Sequence, residues 1–227
     1  MKSFTLLGAT ALITSSASAT VTGLSVEMTY HAASNRDVYS VFVNSSGPTA
    51  GGVHDVMLNM IGHQMLTGSM SGVQHSDSFI DDSSMPVGHW NASYTSASTG
   101  AASNQWRDSF VTVTGKTGAA SSTSLDPSFG SGVFNSASPN IPAAAGWYTA
   151  NPAVDILITG GKIKVMQFAV THNDAGWTGK VSVGYKLQGT TTALYAMNLT
   201  YSVGIPAPGA FALLGLAGLV SSRRRRG

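Results

Sequence analysis

The sequence predicts an all-β protein whose body is a single antiparallel domain, either a β-sandwich or a jelly-roll-like fold. Runs in which apolar and polar residues alternate recur along the chain, and this pattern is typical of strands that bury one face. Clusters of turn-forming residues separate these runs, and no segment of the body has the spacing of an amphipathic helix. About nine or ten short strands without helices favour two packed sheets.

The clearest strands come near the end of the body. The segment Lys180 to Gln188 places one set of apolar residues on the same face, namely Val181, Val183, Tyr185 and Leu187. The segment Leu194 to Val203 repeats the alternation. It predicts a single face that carries Tyr195, Met197, Leu199, Tyr201 and Val203.

Two preceding segments, 154–159 and 162–171, are β-branched and apolar enough to form central strands. Gly160-Gly161 lies between them and suits a tight hairpin that needs positive φ. Further turn-forming residues follow each of the next two strands. Residues 153–203 therefore predict a four-strand antiparallel meander.

Earlier parts of the body alternate strands with long polar stretches. Further strands are predicted at 23–30, 38–44, 53–61, 73–80 and 108–114. Two stretches rich in Ser, Gly, Ala and Pro, residues 92–105 and 115–152, are predicted to form long surface loops.

Composition limits the function classes. The chain has 227 residues, enough for one domain with a buried core, and its apolar content of 43% argues against disorder. It has no cysteine, which excludes disulfides, thiolate metal sites and thiol nucleophiles. Of twelve basic residues, Lys2 and four arginines lie at the chain ends, so the body has seven basic against ten acidic residues, a net charge of −3. A body with this charge provides no basic surface for nucleic acid, and we predict no nucleic-acid partner.

The N-terminus has the pattern of a secretory signal peptide. Lys2 supplies a positive start, Phe4 to Ile13 forms an apolar run, and Ala17-Ser18-Ala19 matches the small-x-small pattern of a cleavage site. We therefore expect cleavage after Ala19, with a mature start at Thr20. The expected partners are the Sec export machinery and signal peptidase.

The C-terminus combines a short apolar span with a basic end. Residues 205–220 are uncharged, and two serines separate them from Arg223, Arg224, Arg225 and Arg226. As a helix this span is about 24 Å long, against a hydrocarbon core of about 30 Å, and snorkelling arginine stems reduce the mismatch. We predict a transmembrane helix at about 208–222, with the arginines cytoplasmic and the body outside.

The order of these C-terminal features resembles the PEP-CTERM sorting signal. Pro206, Ala207 and Pro208 stand at the proline motif, ahead of the apolar span and the arginines. Ala207 replaces the central Glu of the family, and this form resembles a variant common in planctomycete-type proteins. The resemblance implies sorting by an exosortase, a membrane protease, to the cell envelope or extracellular matrix of a bacterium. It covers only residues 205–227 and says nothing of the activity of the body, residues 20–204.

Histidine and aspartate offer one candidate metal site. His75 and Asp77 share a face of a predicted strand, and Asp81 and Asp82 follow closely. Imidazole and carboxylate are ligands of zinc and calcium, so these residues could hold Zn²⁺ or Ca²⁺. The alternative is a polar strand face that leads into an acidic turn, and on balance we predict no cofactor. The chain has no HExxH, GxSxG or phosphate-loop motif, and we predict neither catalytic residues nor an enzyme.

Three function classes remain open. A noncatalytic surface or extracellular-matrix protein fits best, a carbohydrate- or metal-binding β-module is the alternative, and a secreted hydrolase comes third. Extracellular polysaccharide could stack on aromatic residues in or beside the predicted loops, although aromatic residues more often belong to the core. The candidates are His89-Trp90, Trp106, Trp147-Tyr148 and Trp177. A sugar binder should expose aromatic residues beside Asn or Asp, whereas a hydrolase should bring acids or a histidine–metal cluster together in a pocket.

Overall fold

A computed structural model of the chain describes residues 20–49, 51–70, 72–76, 89–95, 106–130, 140–151, 153–173 and 176–204. These residues form an all-β structure of two antiparallel sheets with a few short 3-10 helices, as the sequence predicts. No helix in these ranges has the length and apolar character that a membrane crossing requires. The predicted signal peptide, the predicted helix at about 208–222 and the sorting motif lie outside the described residues.

Eleven strands are present in the described ranges. They are β1 (Val21–His31), β2 (Arg36–Ser45), β3 (Asp55–Gly68), β4 (Val73–Gln74), β5 (Phe110–Val111), β6 (Thr123–Leu125), β7 (Trp147–Thr149), β8 (Ile156–Leu157), β9 (Lys162–Thr171), β10 (Trp177–Leu187) and β11 (Leu194–Val203). The five-stranded sheet has the order β1-β2-β9-β4, with β5 also paired to β9. The six-stranded sheet has the order β11-β10-β3-β7-β6, with β8 also paired to β3. The short 3-10 helices are Ala32–Ser34, Ala92–Tyr94, Gly118–Ala120 and Pro127–Phe129.

The two sheets face each other across one apolar core. Phe168 of β9 packs perpendicular to Trp177 of β10, with ring centroids 5.1 Å apart, and stacks on Tyr201 of β11 at 6.0 Å. The apolar residues on the inner faces of both sheets belong to this same buried cluster. Because burial of apolar surface is the main favourable term in folding, this shared core fixes which face of each sheet points outward.

A buried polar pair lies on the core face of the six-stranded sheet. The ring of His63 on β3 and the hydroxyl of Tyr201 on β11 share a hydrogen bond of 2.8 Å. Gly179 of β10 separates them in the sheet, and a Cβ there would lie 2.6 Å from the Tyr201 ring, so glycine makes room for the tyrosine. Burial lowers the pKa of His63 to about 4, which keeps the imidazole neutral in the folded chain.

The predicted meander over 153–203 is wrong. β9 pairs with β2, β4 and β5, whereas β10 pairs with β3 and β11, so these consecutive strands lie in different sheets. β8 also pairs with β3 rather than with β9. Gly160 and Gly161 do have positive φ, 68° and 81°, but they carry the chain from one sheet to the other instead of closing a hairpin. Of the predicted pairings, only the β10–β11 hairpin is confirmed, because alternation identifies a strand but not its partner.

A bulge corrects the predicted face of β11. The register runs from Val181 opposite Leu199 to Val183 opposite Ala196, and Asn198 takes a left-handed φ of 55° at the irregularity. The extra residue moves Tyr195 and Met197 to the outer face, where they are 53% and 60% exposed. The prediction assumed an unbroken strand.

The segment 115–152 is only partly the surface loop that its composition predicts. Two short strands, β6 and β7, pair within it and extend the six-stranded sheet. Phe129 and Trp147 are buried in the core. The strands predicted at 73–80 and 108–114 shrink to two residues each, β4 and β5, and residues 77–80 lie outside the described ranges. The strands predicted at 23–30, 38–44, 162–171 and 194–203 are confirmed.

Candidate functional site on the outer face of the six-stranded sheet

A continuous row of residues crosses the outer face of the six-stranded sheet. Tyr148 of β7 is opposite Asn59 of β3, Asn59 is opposite Gly184 of β10, and Gly184 is opposite Tyr195 of β11. Directly opposed residues of antiparallel strands project from the same face of a sheet. We call these four residues the tyrosine row.

The neighbours of the row show that it faces outward. Each strand places a core residue directly beside its member of the row: Trp147 on β7, Met60 on β3 and Val183 on β10. Met60 is opposite both of the others, and all three are 0% exposed. Because side chains alternate along a strand, the row must lie on the other face. Tyr148 and Tyr195 are accordingly 45% and 53% exposed.

The geometry of the row depends on its glycine. A Cβ on Gly184 would lie 2.1 Å from Asn59 Oδ1 and 3.2 Å from Tyr195 Cε1, so the carboxamide and the ring both lie over the bare Cα. Tyr148 and Tyr195 are separated by three strand-to-strand steps, which places their Cα atoms about 14 Å apart. The row is thus a strip with an aromatic ring at each end and an amide in its middle.

Two hydrogen-bond acceptors lie on this strip. Asn59 Oδ1 is buried and has no hydrogen-bond partner among the described residues, which leaves an unused acceptor beside Tyr195. One position further along the outer face, the Asp126 carboxylate lies over Gly146, where a Cβ would be 3.0 Å from Asp126 Oδ2. Ile61, 37% exposed, lies next to this carboxylate and adds apolar surface.

The predicted metal site is only partly within the described ranges. His75 is fully buried, and its Nδ1 lies 3.6 Å from Oδ1 of Asp108. Asp77, Asp81 and Asp82 lie outside the described residues, so the structure does not test whether they approach His75. Within the described part of the chain, no group of three or more His, Cys, Asp or Glu residues is placed to hold a metal ion.

His75 instead belongs to a buried polar network that we call the Asp108 cluster: His75, Ser76, His89, Thr95 and Asp108, all 0% or 1% exposed. The Thr95 hydroxyl donates to Asp108 Oδ2 at 2.5 Å, and the Ser76 backbone N–H donates to Oδ1 at 3.2 Å. Burial lowers the pKa of His89, an effect that the Asp108 carboxylate opposes. The rings of His75 and Trp90 pack edge to face with their centroids 4.6 Å apart, so the cluster borders the apolar core.

Three of the four tryptophans that the sequence offers as candidate stacking surfaces are buried. Trp90, Trp147 and Trp177 are 0% or 1% exposed, which is the alternative of core aromatic residues. Their large apolar rings contribute more by filling the core than by lying at the surface. Trp106 is partly exposed and stacks on His31 at 5.5 Å. Of the predicted aromatic residues, Tyr148 is the one that the structure exposes.

Sequence reasoning missed the other members of the tyrosine row. Asn59 and Gly184 stand in ordinary strand patterns, and only the pairing of β3 with β10 brings them together. Tyr195 was predicted on the core face, and the bulge at Asn198 turns it outward. The one local signal in the sequence is the residue type of Asn198, because asparagine tolerates positive φ better than most residues, and this signal is a weak one.

Comparisons of the chain with protein-family models, with curated proteins and with solved structures found no match. The observations that bear on function are therefore the geometry of the site and the patterns at the two ends of the sequence.

Proposed function

We propose that this chain is an exported bacterial surface or extracellular-matrix protein whose body binds a saccharide chain along the tyrosine row and catalyses no reaction. The observation that carries the proposal is the placement of two exposed tyrosines on one sheet face, on either side of Asn59, with their Cα atoms about 14 Å apart.

The chemistry of the strip suits a saccharide. Pyranose rings have apolar faces made of C–H groups, which pack against aromatic rings, and a tyrosine offers both a ring and a hydroxyl. Sugar hydroxyls can form hydrogen bonds with the two tyrosine hydroxyls and can donate to the Asp126 carboxylate on the same face. Two aromatic contacts and a few directed hydrogen bonds are the usual composition of a small-molecule site.

The residues of this strip favour binding of a saccharide over its hydrolysis. Glycoside hydrolysis ordinarily requires two carboxyl groups on either side of the scissile bond. In the described residues, the strip carries one carboxylate, Asp126, next to an amide. These groups can orient a sugar but do not form an acid–base pair.

The proposed localisation of the protein rests on the patterns at the N- and C-termini of the sequence. We propose export through the Sec machinery, cleavage between Ala19 and Thr20, and sorting by an exosortase that reads Pro206-Ala207-Pro208. The C-terminal helix then anchors the body at the envelope, transiently or stably, where saccharide is abundant. We further propose that residues 20–204 form a single sandwich domain, of which a jelly roll is one form.

The binding proposal is tested with a glycan array followed by affinity measurements on the purified chain. We expect Tyr148→Ala and Tyr195→Ala each to weaken binding of the best glycan by about tenfold, which corresponds to about 1.4 kcal/mol. Tyr148→Phe should keep most of the affinity, since the ring remains.

Tyr30→Ala is the matched control, because Tyr30 is 46% exposed but belongs to β1 of the other sheet. If no glycan binds, or if the control weakens binding as much as the row variants, the proposal is wrong. The sorting proposal is tested separately. Deletion of the exosortase gene in the source bacterium should leave the chain unprocessed at its C-terminus and change its location.

A further inference from the structure

A cavity whose lining includes no residue of the tyrosine row offers a separate candidate site. It has a volume of about 650 Å³ and lies between the starts of β8 and β9 and the segment 114–122. Its wall includes Phe42, Ile156, Leu157 and Ile163 on the apolar side. A volume of this size is within the range of pockets that hold small organic ligands.

Basic residues outnumber acidic residues among the described residues that line this cavity. Lys116, Lys162 and Lys164 all line it, and these are three of the seven basic residues of an acidic body. Lys162 pairs with Glu27 and lies over the Phe42 ring, 4.5 Å from its centroid. Asp155, the one carboxylate among the described residues of the wall, forms an ion pair with Lys186 at 3.0 Å.

Two of the lysines have no carboxylate partner. Among the described residues, neither Lys116 nor Lys164 lies within ion-pair distance of an acidic side chain. The Lys164 ammonium donates to Gln167 Oε1 at 3.0 Å, a neutral acceptor that satisfies one of its three N–H groups. Burial lowers the pKa of Lys164, with Glu27 acting in the opposite sense, so this ammonium is held in the folded state at a cost.

We propose that this cavity binds a small organic anion, a carboxylate or phosphate group on a partly apolar body, with the anionic group held by Lys164 and Lys116. The anion supplies an ion-pair partner that neither lysine has among the described residues, and such charge-assisted hydrogen bonds are stronger than neutral ones. Ser122 and Thr159 in the same wall provide hydroxyl groups for further polar contacts. The apolar wall takes the body of the ligand.

The test is calorimetric titration of the full chain with glucuronate, glucose 6-phosphate and glucose, at low and at high salt. We expect at least one of the two anions to bind, glucose not to bind in this cavity, and binding to weaken as salt rises. Whether glucuronate or glucose 6-phosphate binds more tightly identifies the anionic group. Because hydrogen bonds to charged groups contribute about 1.5–3 kcal/mol, Lys164→Gln should weaken binding by about tenfold or more.

Matched variants separate a local site from general charge effects. Lys180→Gln removes the same charge from β10, outside the cavity wall, and should change the affinity by less than about twofold. Lys116 is exposed, so Lys116→Gln should leave folding intact. Its affinity for the anion provides a second test if Lys164→Gln is unstable. The proposal is overturned if neither anion binds, or if Lys180→Gln weakens binding as much as the two cavity variants. The Tyr148→Ala and Tyr195→Ala variants should bind the anions normally, which separates this site from the proposed saccharide strip.

Discussion

The tyrosine row and the Asp108 cluster both contain polar groups and aromatic rings, but they differ in residue types and in exposure. Every member of the Asp108 cluster is 0% or 1% exposed, whereas the two tyrosines of the row are 45% and 53% exposed. Histidine and aspartate are the residue types usually associated with chemistry, yet here they lie sealed beneath the surface. In the row, the groups that a ligand can reach are the two exposed tyrosine rings.

This difference indicates separate roles for the two regions. A buried carboxylate that accepts hydrogen bonds from Thr95 and Ser76 contributes to stability, since removing it leaves those donors unpaired in a place that water cannot reach. Exposed rings contribute little to stability and remain available for contact. Substitutions in the Asp108 cluster should therefore affect folding, and substitutions in the tyrosine row should affect binding.

The largest expected effect is at Asp108. Asp108→Ala removes the acceptor of two buried hydrogen bonds, and at about 1–3 kcal/mol per unpaired donor the free energy of unfolding should fall by about 3 kcal/mol or more. Chemical denaturation measures this loss. Asp155→Ala is the control, because Asp155 forms a partly exposed ion pair with Lys186 and should cost about 1 kcal/mol or less. Equal losses for the two variants would contradict the stabilising role of the cluster.

The next largest effect is a loss of stability at acidic pH that is caused by His63, a buried core residue outside the tyrosine row. The pKa of His63 is lowered from 6.5 to about 4 in the folded chain, so the unfolded chain takes up the proton first as pH falls. The stabilisation is fully present above about pH 6.5 and is lost progressively towards pH 4, by up to about 3 kcal/mol. Denaturation midpoints across this range measure it. His63→Gln should flatten the dependence, and an unchanged slope in that variant would assign the effect to other groups.

A smaller effect is expected at Gly184. Gly184→Ala places a methyl group 2.1 Å from the present position of Asn59 Oδ1 and forces the carboxamide to move. Overpacking of this kind costs about 1–3 kcal/mol, and it should also weaken glycan binding, because the Tyr195 ring, 3.2 Å from the new Cβ, has to move as well. Gly51→Ala is the control, since its new Cβ would meet only Thr49 Oγ1, at 3.7 Å. If Gly184→Ala binds glycan with unchanged affinity, the position of the Tyr195 ring has no part in binding.

The smallest effects on stability are expected at the tyrosines themselves. Tyr148→Ala and Tyr195→Ala each remove an exposed ring, and each should change the free energy of unfolding by about 0.5 kcal/mol or less. Trp147→Ala, one residue from Tyr148 but on the core face, should cost about 3–5 kcal/mol. Thermal or chemical unfolding of these neighbours tests the assignment of the two faces. A large loss at Tyr148 would show that its ring supports the core.

The sequence predicted the strands of this fold better than their arrangement. The bounds of β9 and β11 follow from their own alternation and β-branched residues, which are local properties. The assignment of β9 and β10 to different sheets depends on which distant strands bury them, and no local pattern carries that information. The candidate site was even less accessible to prediction. Asn59, Tyr148, Gly184 and Tyr195 come from four separate strands, and the position of Tyr195 depends on one bulge.

The most direct test of the proposed role of the tyrosine row is a nuclear magnetic resonance titration of the isotope-labelled chain with the best glycan from the array. If the row is the binding site, the backbone amides of Asn59, Tyr148, Gly184 and Tyr195 should shift with added glycan, while those of His75, Thr95 and Asp108 stay in place. Shifts confined to the Asp108 cluster or to the five-stranded sheet, with the row unchanged, would contradict the account.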